Sequence, residues 1–236
     1  LTPDISYTFF VTPYNHAMVA GQILGNYTAV YTWSYVYNVV PTVNDSSSVL
    51  IDFGNSDLSY VSIQAKYGNL VVAGTKTWSS PFIKPVIYKG LIPDISYTFF
   101  VTPYNHAKVA GQVSGNLTSV YTWSYINNLK STVKDSSSIL IDFSNSDLSY
   151  VSIQARYGNL VVAGTKSWIA PLQKPILYNG LIPDISYTFV VTPYNHASIG
   201  GAQVTTISTY TWSYVYNVVP YVNDSSSILI DFSNSD

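Results

Sequence analysis

The sequence predicts an all-β chain of tandem seven-stranded β-sandwiches. Three observations carry this: an internal repeat the size of a small domain, a succession of short segments with two-residue apolar alternation, and the lack of any helical period. LTPDISYTFFVTPYNHA starts at Leu1, LIPDISYTFFVTPYNHA at Leu91 and LIPDISYTFVVTPYNHA at Leu181, so the copies begin 90 residues apart. The first two differ at 23 of 90 aligned positions. The third has lost one residue, because Trp33 and Trp123 are 90 apart while Trp123 and Trp212 are 89 apart. Solenoid units run about 20–50 residues, so this period fits a whole domain instead.

Each unit reads as strand after strand. SYTFFVTPY puts Tyr7, Phe9 and Val11 on one face, and VYTWSYVYNVV follows as one long aromatic and β-branched stretch. SVLIDF alternates Val49, Ile51 and Phe53; YVSIQAKY alternates Val61, Ile63 and Ala65. LVVAGT is a short β-branched run, and PVIYKG ends at a glycine. Clusters of Gly, Pro, Asn, Asp and Ser separate these segments, as turns require. Val, Ile, Thr and Tyr dominate, and all favour pleated backbone.

The stretch Gly90–Asn105, GLIPDISYTFFVTPYN, resembles the E–F corner and F strand of a fibronectin type III domain. That family carries Leu-x-Pro-x-x-x-Tyr, then alternating apolar residues and an Asn. Leu91, Pro93 and Tyr97 match, followed by Phe99, Val101 and Asn105; Leu1, Pro3, Tyr7 and Leu181, Pro183, Tyr187 match in the other copies. The resemblance covers the whole repeat. It implies a tyrosine corner, a buried ring whose hydroxyl bonds back to the chain and pins the turn between sheets. One departure is that the family usually ends strand B in Trp, where this chain has Phe53, Phe143 and Phe232.

The resemblance also implies module boundaries. Residues 1–35 read as strands F and G of a preceding module, 36–125 and 126–214 as complete modules, and 215–236 as strands A and B of a following one. Neither end fragment could bury its apolar face alone. The first residue is not Met, and the chain reads as a window on a longer array, with completion by neighbouring chains as the rival reading. No linker residues remain between modules, and Pro41 and Pro220 stiffen the junctions. A rod with a rise of about 30–40 Å per module is expected.

Composition bounds the function. Only 9% of residues are charged, with 10 Lys+Arg against 12 Asp+Glu, which disfavours a phosphate-gripping nucleic-acid partner. There are no cysteines, so disulfides, thiolate metal sites and thiol nucleophiles are out. No apolar run reaches the roughly 18 residues of a membrane-spanning helix, and no signal peptide pattern is present. With so little charge, the exposed surface must be Ser, Thr, Asn, Gln and many of the 22 tyrosines. Low net charge and tyrosine-rich faces favour packing against copies of itself. The rival is a stalk made soluble by neutral sugar.

Four Asn-x-Ser/Thr sequons stand at Asn26, Asn44, Asn116 and Asn223 as candidate N-glycosylation sites. His16, His106 and His196 share the loop position YNHA; they are candidate F–G loop binding residues, or plain solvated loop residues a module apart. Asp52, Asp142 and Asp231 should point outward from LIDF, while Asp45 and Asp57 flank strand B with no calcium-loop spacing, so turn chemistry explains them. Trp33, Trp123 and Trp212 in YTWSY, and Trp78 and Trp168 between C′ and E, suit core or intermodule packing better than sugar stacking. No catalytic, cofactor-binding or metal residues are expected. Differences between copies concentrate in Val36–Asn44 and Thr77–Lys89. The PDxSYTFxVTPYN units in a low-charge array are similar to repeats in surface proteins of giant DNA viruses and, less closely, to bacterial surface arrays. That implies a structural fibre or coat, extracellular or on a virion surface, with self-association as the partner. The alternative is an adhesive or glycan-binding array; an enzyme is not expected.

Overall fold

The computed structural model describes residues 1–25, 28–116 and 118–234. Every regular element among them is a strand. The chain divides into two compact units, Leu1–Thr122 and Trp123–Asp236.

The first unit opens on four two-residue strands: β1 (Ser6–Tyr7), β2 (Phe10–Val11), β3 (Leu24–Gly25) and β4 (Val30–Tyr31). Then come β5 (Val36–Val43), β6 (Ser48–Asn55), β7 (Tyr60–Tyr67), β8 (Leu70–Ser79), β9 (Val86–Lys89), β10 (Ser96–Tyr104), β11 (Ser114–Gly115) and β12 (Val120–Tyr121). They form a three-stranded sheet β5-β6-β9 and a second sheet β11-β10-β7-β8 in which β12 also pairs with β10. In fibronectin type III letters this is A-B-E against C′-C-F-G, with G split in two. The second unit repeats the plan with β13 (Ile126–Val133), β14 (Ser138–Asn145), β15 (Tyr150–Tyr157), β16 (Leu160–Ile169), β17 (Ile176–Asn179), β18 (Ser186–Tyr194), β19 (Val204–Thr205) and β20 (Thr209–Tyr210). It ends in the hairpin β21 (Val215–Val222) and β22 (Ile228–Asn234).

The alternation read from the sequence is the alternation of burial. Val49, Ile51 and Phe53 of β6, Val61, Ile63 and Ala65 of β7, and Tyr97, Phe99 and Val101 of β10 are all buried in one core. Asp52 and Asp142 face solvent. Phe53 fills the place of the family's tryptophan with help: Phe82 meets it edge-on, ring centroids 5.8 Å apart. Tyr97 is fully buried, and its hydroxyl accepts the Ile92 amide at 3.0 Å; Tyr187 accepts the Ile182 amide at 3.0 Å. Burial pushes the Tyr97 phenol up, so it stays a neutral hydroxyl.

The stretch VYTWSYVYNVV carries β4 and β5. It breaks after β4, and Thr32 turns its hydroxyl inward to donate to Thr2 O at 2.6 Å and accept from Ile5 N at 3.2 Å. Trp78 and Trp168 lie inside β8 and β16, not after them, half-buried against the core. Of the YTWSY tryptophans, Trp33 and Trp212 stand 65% and 55% exposed, whereas Trp123 is half-buried.

Two bulges interrupt the strands. Strand A bulges between Tyr37 and Val40, where Asn38 takes a φ of 51°, a left-handed conformation that asparagine tolerates. The C′ edge bulges at Ala73-Gly74, two positive-φ residues opposite none on β7. The buried Tyr88 hydroxyl reaches across from strand E to the carbonyls of Val72, at 3.2 Å, and Gly74. Tyr178 does the same for Gly164 at 2.8 Å.

The A–B turns explain their acidic residues without metal. Asp224 accepts from the hydroxyl of Ser227 at 2.6 Å, and from the amide and hydroxyl of Ser226 at 2.8 and 3.0 Å. These bonds, Ser227's first, lower its carboxyl from 3.8 to about 2. A depressed carboxyl stabilises the fold above its unfolded value and loses that contribution as pH falls through the folded one. The turn is therefore expected to open between about pH 4 and pH 2. Carbon-detected NMR of Asp224 should show a midpoint near 2, moving up toward 3.8 in Ser227→Ala; a midpoint of 3.8 in the unaltered protein would contradict the bonding. Tyr97→Phe is expected to cost about 0.5–1.5 kcal/mol in urea unfolding, because it removes the hydrogen bond from the Ile92 amide.

Candidate functional site

Four chain segments meet at one end of the first sandwich: the B–C loop around Asp57, the C′–E loop around Lys84, the F–G loop from Asn105 to Gly111, and residues 1–35. Tyr7 organises the last of these. Its hydroxyl accepts the Thr2 amide at 2.8 Å, the tyrosine corner of this copy, and the turn it holds puts Asp4 at a φ of 57°. Pro3 is half-buried within that turn, while Leu1 is 85% exposed, unlike the buried Leu91 and Leu181.

From this corner the Asp4 carboxylate enters the F–G loop. One oxygen accepts the His106 amide at 2.9 Å and the other lies 2.6 Å from His106 Nδ1. The Asp4 side chain is fully buried there, whereas the imidazole remains 55% exposed. Beside it, the wholly buried Asn105 accepts the Val109 amide at 2.8 Å, which shapes the loop, and donates to Thr32 O at 3.1 Å, which ties the loop to residues 1–35. The third contact is backbone on backbone. A β-carbon at Gly111 would stand 2.1 Å from Ser34 O, so only glycine admits this approach. The second unit repeats the contact, with a β-carbon at Gly201 standing 2.3 Å from Ser124 O. Ser34 and Ser124 are buried, and their hydroxyls have no hydrogen-bond partner among the described residues.

His106 thus keeps an exposed ring while its amide and Nδ1 both meet Asp4. His16 is exposed. His196 lines a cleft of about 530 Å³ in the second unit, with Asn145, Asp147 and Lys174 on the same wall. Lys174 Nζ donates to Phe143 O and Asn145 Oδ1, both at 2.7 Å, and Lys84 makes the same pair of bonds to Phe53 O and Asn55 Oδ1 at 2.7 Å. The Asp4 contact was hidden from sequence reasoning because its partners lie 102 residues apart.

The sequons fall in bonded positions. Asn44 donates to Asp45 at 3.0 Å and to Ser48 at 2.9 Å, and Asn223 copies this with Asp224 and Ser227 at 3.2 and 2.9 Å. Asn116 plugs the gap in strand G: its Oδ1 accepts the Phe99 amide and its Nδ2 donates to Thr118 O. Thr206 takes the same post for the Phe189 amide at 2.9 Å. Asn26 lies outside the described residues.

Gly111→Ala is expected to lift residues 1–35 off the F–G loop while the sandwich core stays folded. Amide exchange at Thr32–Tyr35 should speed up roughly ten-fold or more, with the amides of β6, β7 and β10 unchanged. Unchanged exchange at Ser34 would show that the approach is not tight.

No known family profile matches the chain, and no curated protein does. Among solved structures it is similar to a two-domain fibronectin type III segment of chicken tenascin, at 6% identity and a TM-score of 0.48, over 75% of this chain and 99% of that one. It is also similar to fibronectin domains FN1–FN3 of chicken CNTN1, at 16% identity and a TM-score of 0.34, over 89% of this chain and 77% of that one. No helix among the described residues is long and apolar enough to cross a membrane. By its own strand order, the chain carries tandem fibronectin type III-like β-sandwiches.

Proposed function

We propose that this is a structural repeat protein, not an enzyme, whose sandwich modules stack end to end into an extracellular or virion-surface fibre or coat. The observation that carries the reading is the seating of residues 1–35 on the loops of the sandwich that follows. Asp4 is buried against His106, Asn105 holds Thr32, and the Ser34 carbonyl rests on Gly111 with no side chain between. The chain passes from β4 to β5 through only Thr32–Tyr35, and three of these four residues are used in bonds or contacts. A junction without spare residues transmits force and fixes spacing, which a flexible tether cannot do.

The surface agrees with a crowded assembly. At 9% charge and 22 tyrosines, copies repel each other weakly and meet through rings that lose little entropy on contact. The adhesive reading would use the F–G loop as a ligand site, but in the first unit Asp4 and Thr32 already occupy that loop. Glycans on Asn44, Asn116 or Asn223 would have to coexist with the turn and ladder bonds those side chains make.

Electron microscopy of native material tests the proposal. Filaments or a coat with an axial repeat of about 30–40 Å per module are expected. Isolated particles whose modules take freely varying angles would overturn it.

A further inference from the structure

We propose that Asp4, Asp57 and His106 form a binding site for a divalent transition metal of the Zn²⁺ class, clamping residues 1–35 onto the sandwich that follows. One potential ligand atom from each of the three lies within 4.8 Å of the others. They come from three separate segments: the E–F corner, the B–C loop and the F–G loop. Two carboxylate oxygens and one imidazole nitrogen make the mixed set that zinc accepts and that calcium, which prefers oxygen alone, does not.

The second argument is charge. A buried carboxylate needs a paired cation or a metal. Asp4 has a side chain with no exposure, and its ion-pair partner among the described residues is a histidine. Asp57 adds a second carboxylate, and no Lys or Arg pairs with either acid among the described residues. Two carboxylates against a single histidine leave the cluster short of positive charge next to a buried group, whichever form the imidazole takes. A bound divalent ion would supply that charge.

The geometry needs little adjustment. Tetrahedral zinc with bonds of about 2.0–2.1 Å holds neighbouring ligand atoms about 3.3 Å apart. His106 Nδ1 and Asp4 Oδ2 stand 2.6 Å apart, so the pair would open by well under an ångström and exchange its proton for the ion. Asp57 is exposed, so it can swing in from the rim, and water would complete the shell.

The test uses the full chain and Zn²⁺ alone, followed by NMR at the imidazoles and by calorimetry. The His106 ring is expected to shift on saturation, with a dissociation constant in the micromolar range or tighter, while the exposed His16 does not move. Asp57→Asn, an exposed change that leaves the fold intact, should weaken the His106 response at least ten-fold, and His106→Gln should abolish the local zinc-dependent protection of Thr32–Tyr35 amides. Three results would overturn the site: a His106 ring unmoved by millimolar Zn²⁺, an unchanged response in Asp57→Asn, or Ca²⁺ binding as tightly as Zn²⁺. These measurements are made in dilute solution, so they succeed or fail whether or not the protein forms fibres.

Discussion

The corner held by a tyrosine hydroxyl is the constraint on which the rest depends. In the sandwich it joins strand E to strand F, with Tyr97 buried in the core and its oxygen on the Ile92 amide. In residues 1–35 the same bond, Tyr7 to Thr2, fixes the turn from which Asp4 projects. One interaction thus closes a module and aims the residue that docks on the next. Removing the ring would loosen both, because a turn that wanders by an ångström can no longer deliver a carboxylate to two donors of one loop residue. The positive φ at Asp4 belongs to the same device, since it swings the side chain out of the strand direction.

Charge scarcity raises an opposite hazard. A sandwich ends in open sheet edges, and a nearly neutral protein has little repulsion to keep edges of different copies apart. The C′ strand is one such edge: β8 lies at the end of its sheet, with Leu70 70% and Val71 46% exposed. It is interrupted by the Ala73-Gly74 bulge, which the buried Tyr88 hydroxyl holds from the opposite sheet. Lys76 then crosses over the Tyr88 ring, 4.6 Å from its centre, to the Lys89 carbonyl. A bent edge guarded by a lysine pairs poorly with a neighbouring strand. Backbone pairing along this edge is thereby discouraged.

Much of this was legible in the sequence, because the relevant signals are local. Alternation in SVLIDF and YVSIQAKY, and the Leu-x-Pro-x-x-x-Tyr spacing, each lie within one turn or one strand. What stayed hidden depends on partners far along the chain. F is continuous as β10, where β7 supplies a ladder from Tyr60 to Lys66, yet the same sequence near the start appears as β1 and β2, paired among the described residues with β4 and β3. Propensity was equal; the neighbour decided. The break in VYTWSYVYNVV and the role of His106 have the same origin, since both follow from residues 1–35 meeting the F–G loop. The Asn38 bulge had a local signal, an asparagine inside a β-branched run, whose meaning needed the facing strand.

The differences between copies sharpen the division between scaffold and display. On strand A, the buried Val36 and Val39 become Ile126 and Leu129, apolar for apolar, while the exposed Tyr37 and Val40 become Asn127 and Lys130. The junction residues do not vary at all: Asp4, Thr32, Ser34, Asn105, His106 and Gly111 recur as Asp94, Thr122, Ser124, Asn195, His196 and Gly201. The outer face of strand A borders an open cleft of about 640 Å³ with Ser114, Gly115, Asn116 and Thr118 of the broken G strand. A G strand laddered along its whole length would close that cleft; the plug at Asn116 satisfies the Phe99 amide while leaving it open. Each unit can therefore present a different wall at strand A without disturbing its own tyrosine corner or core.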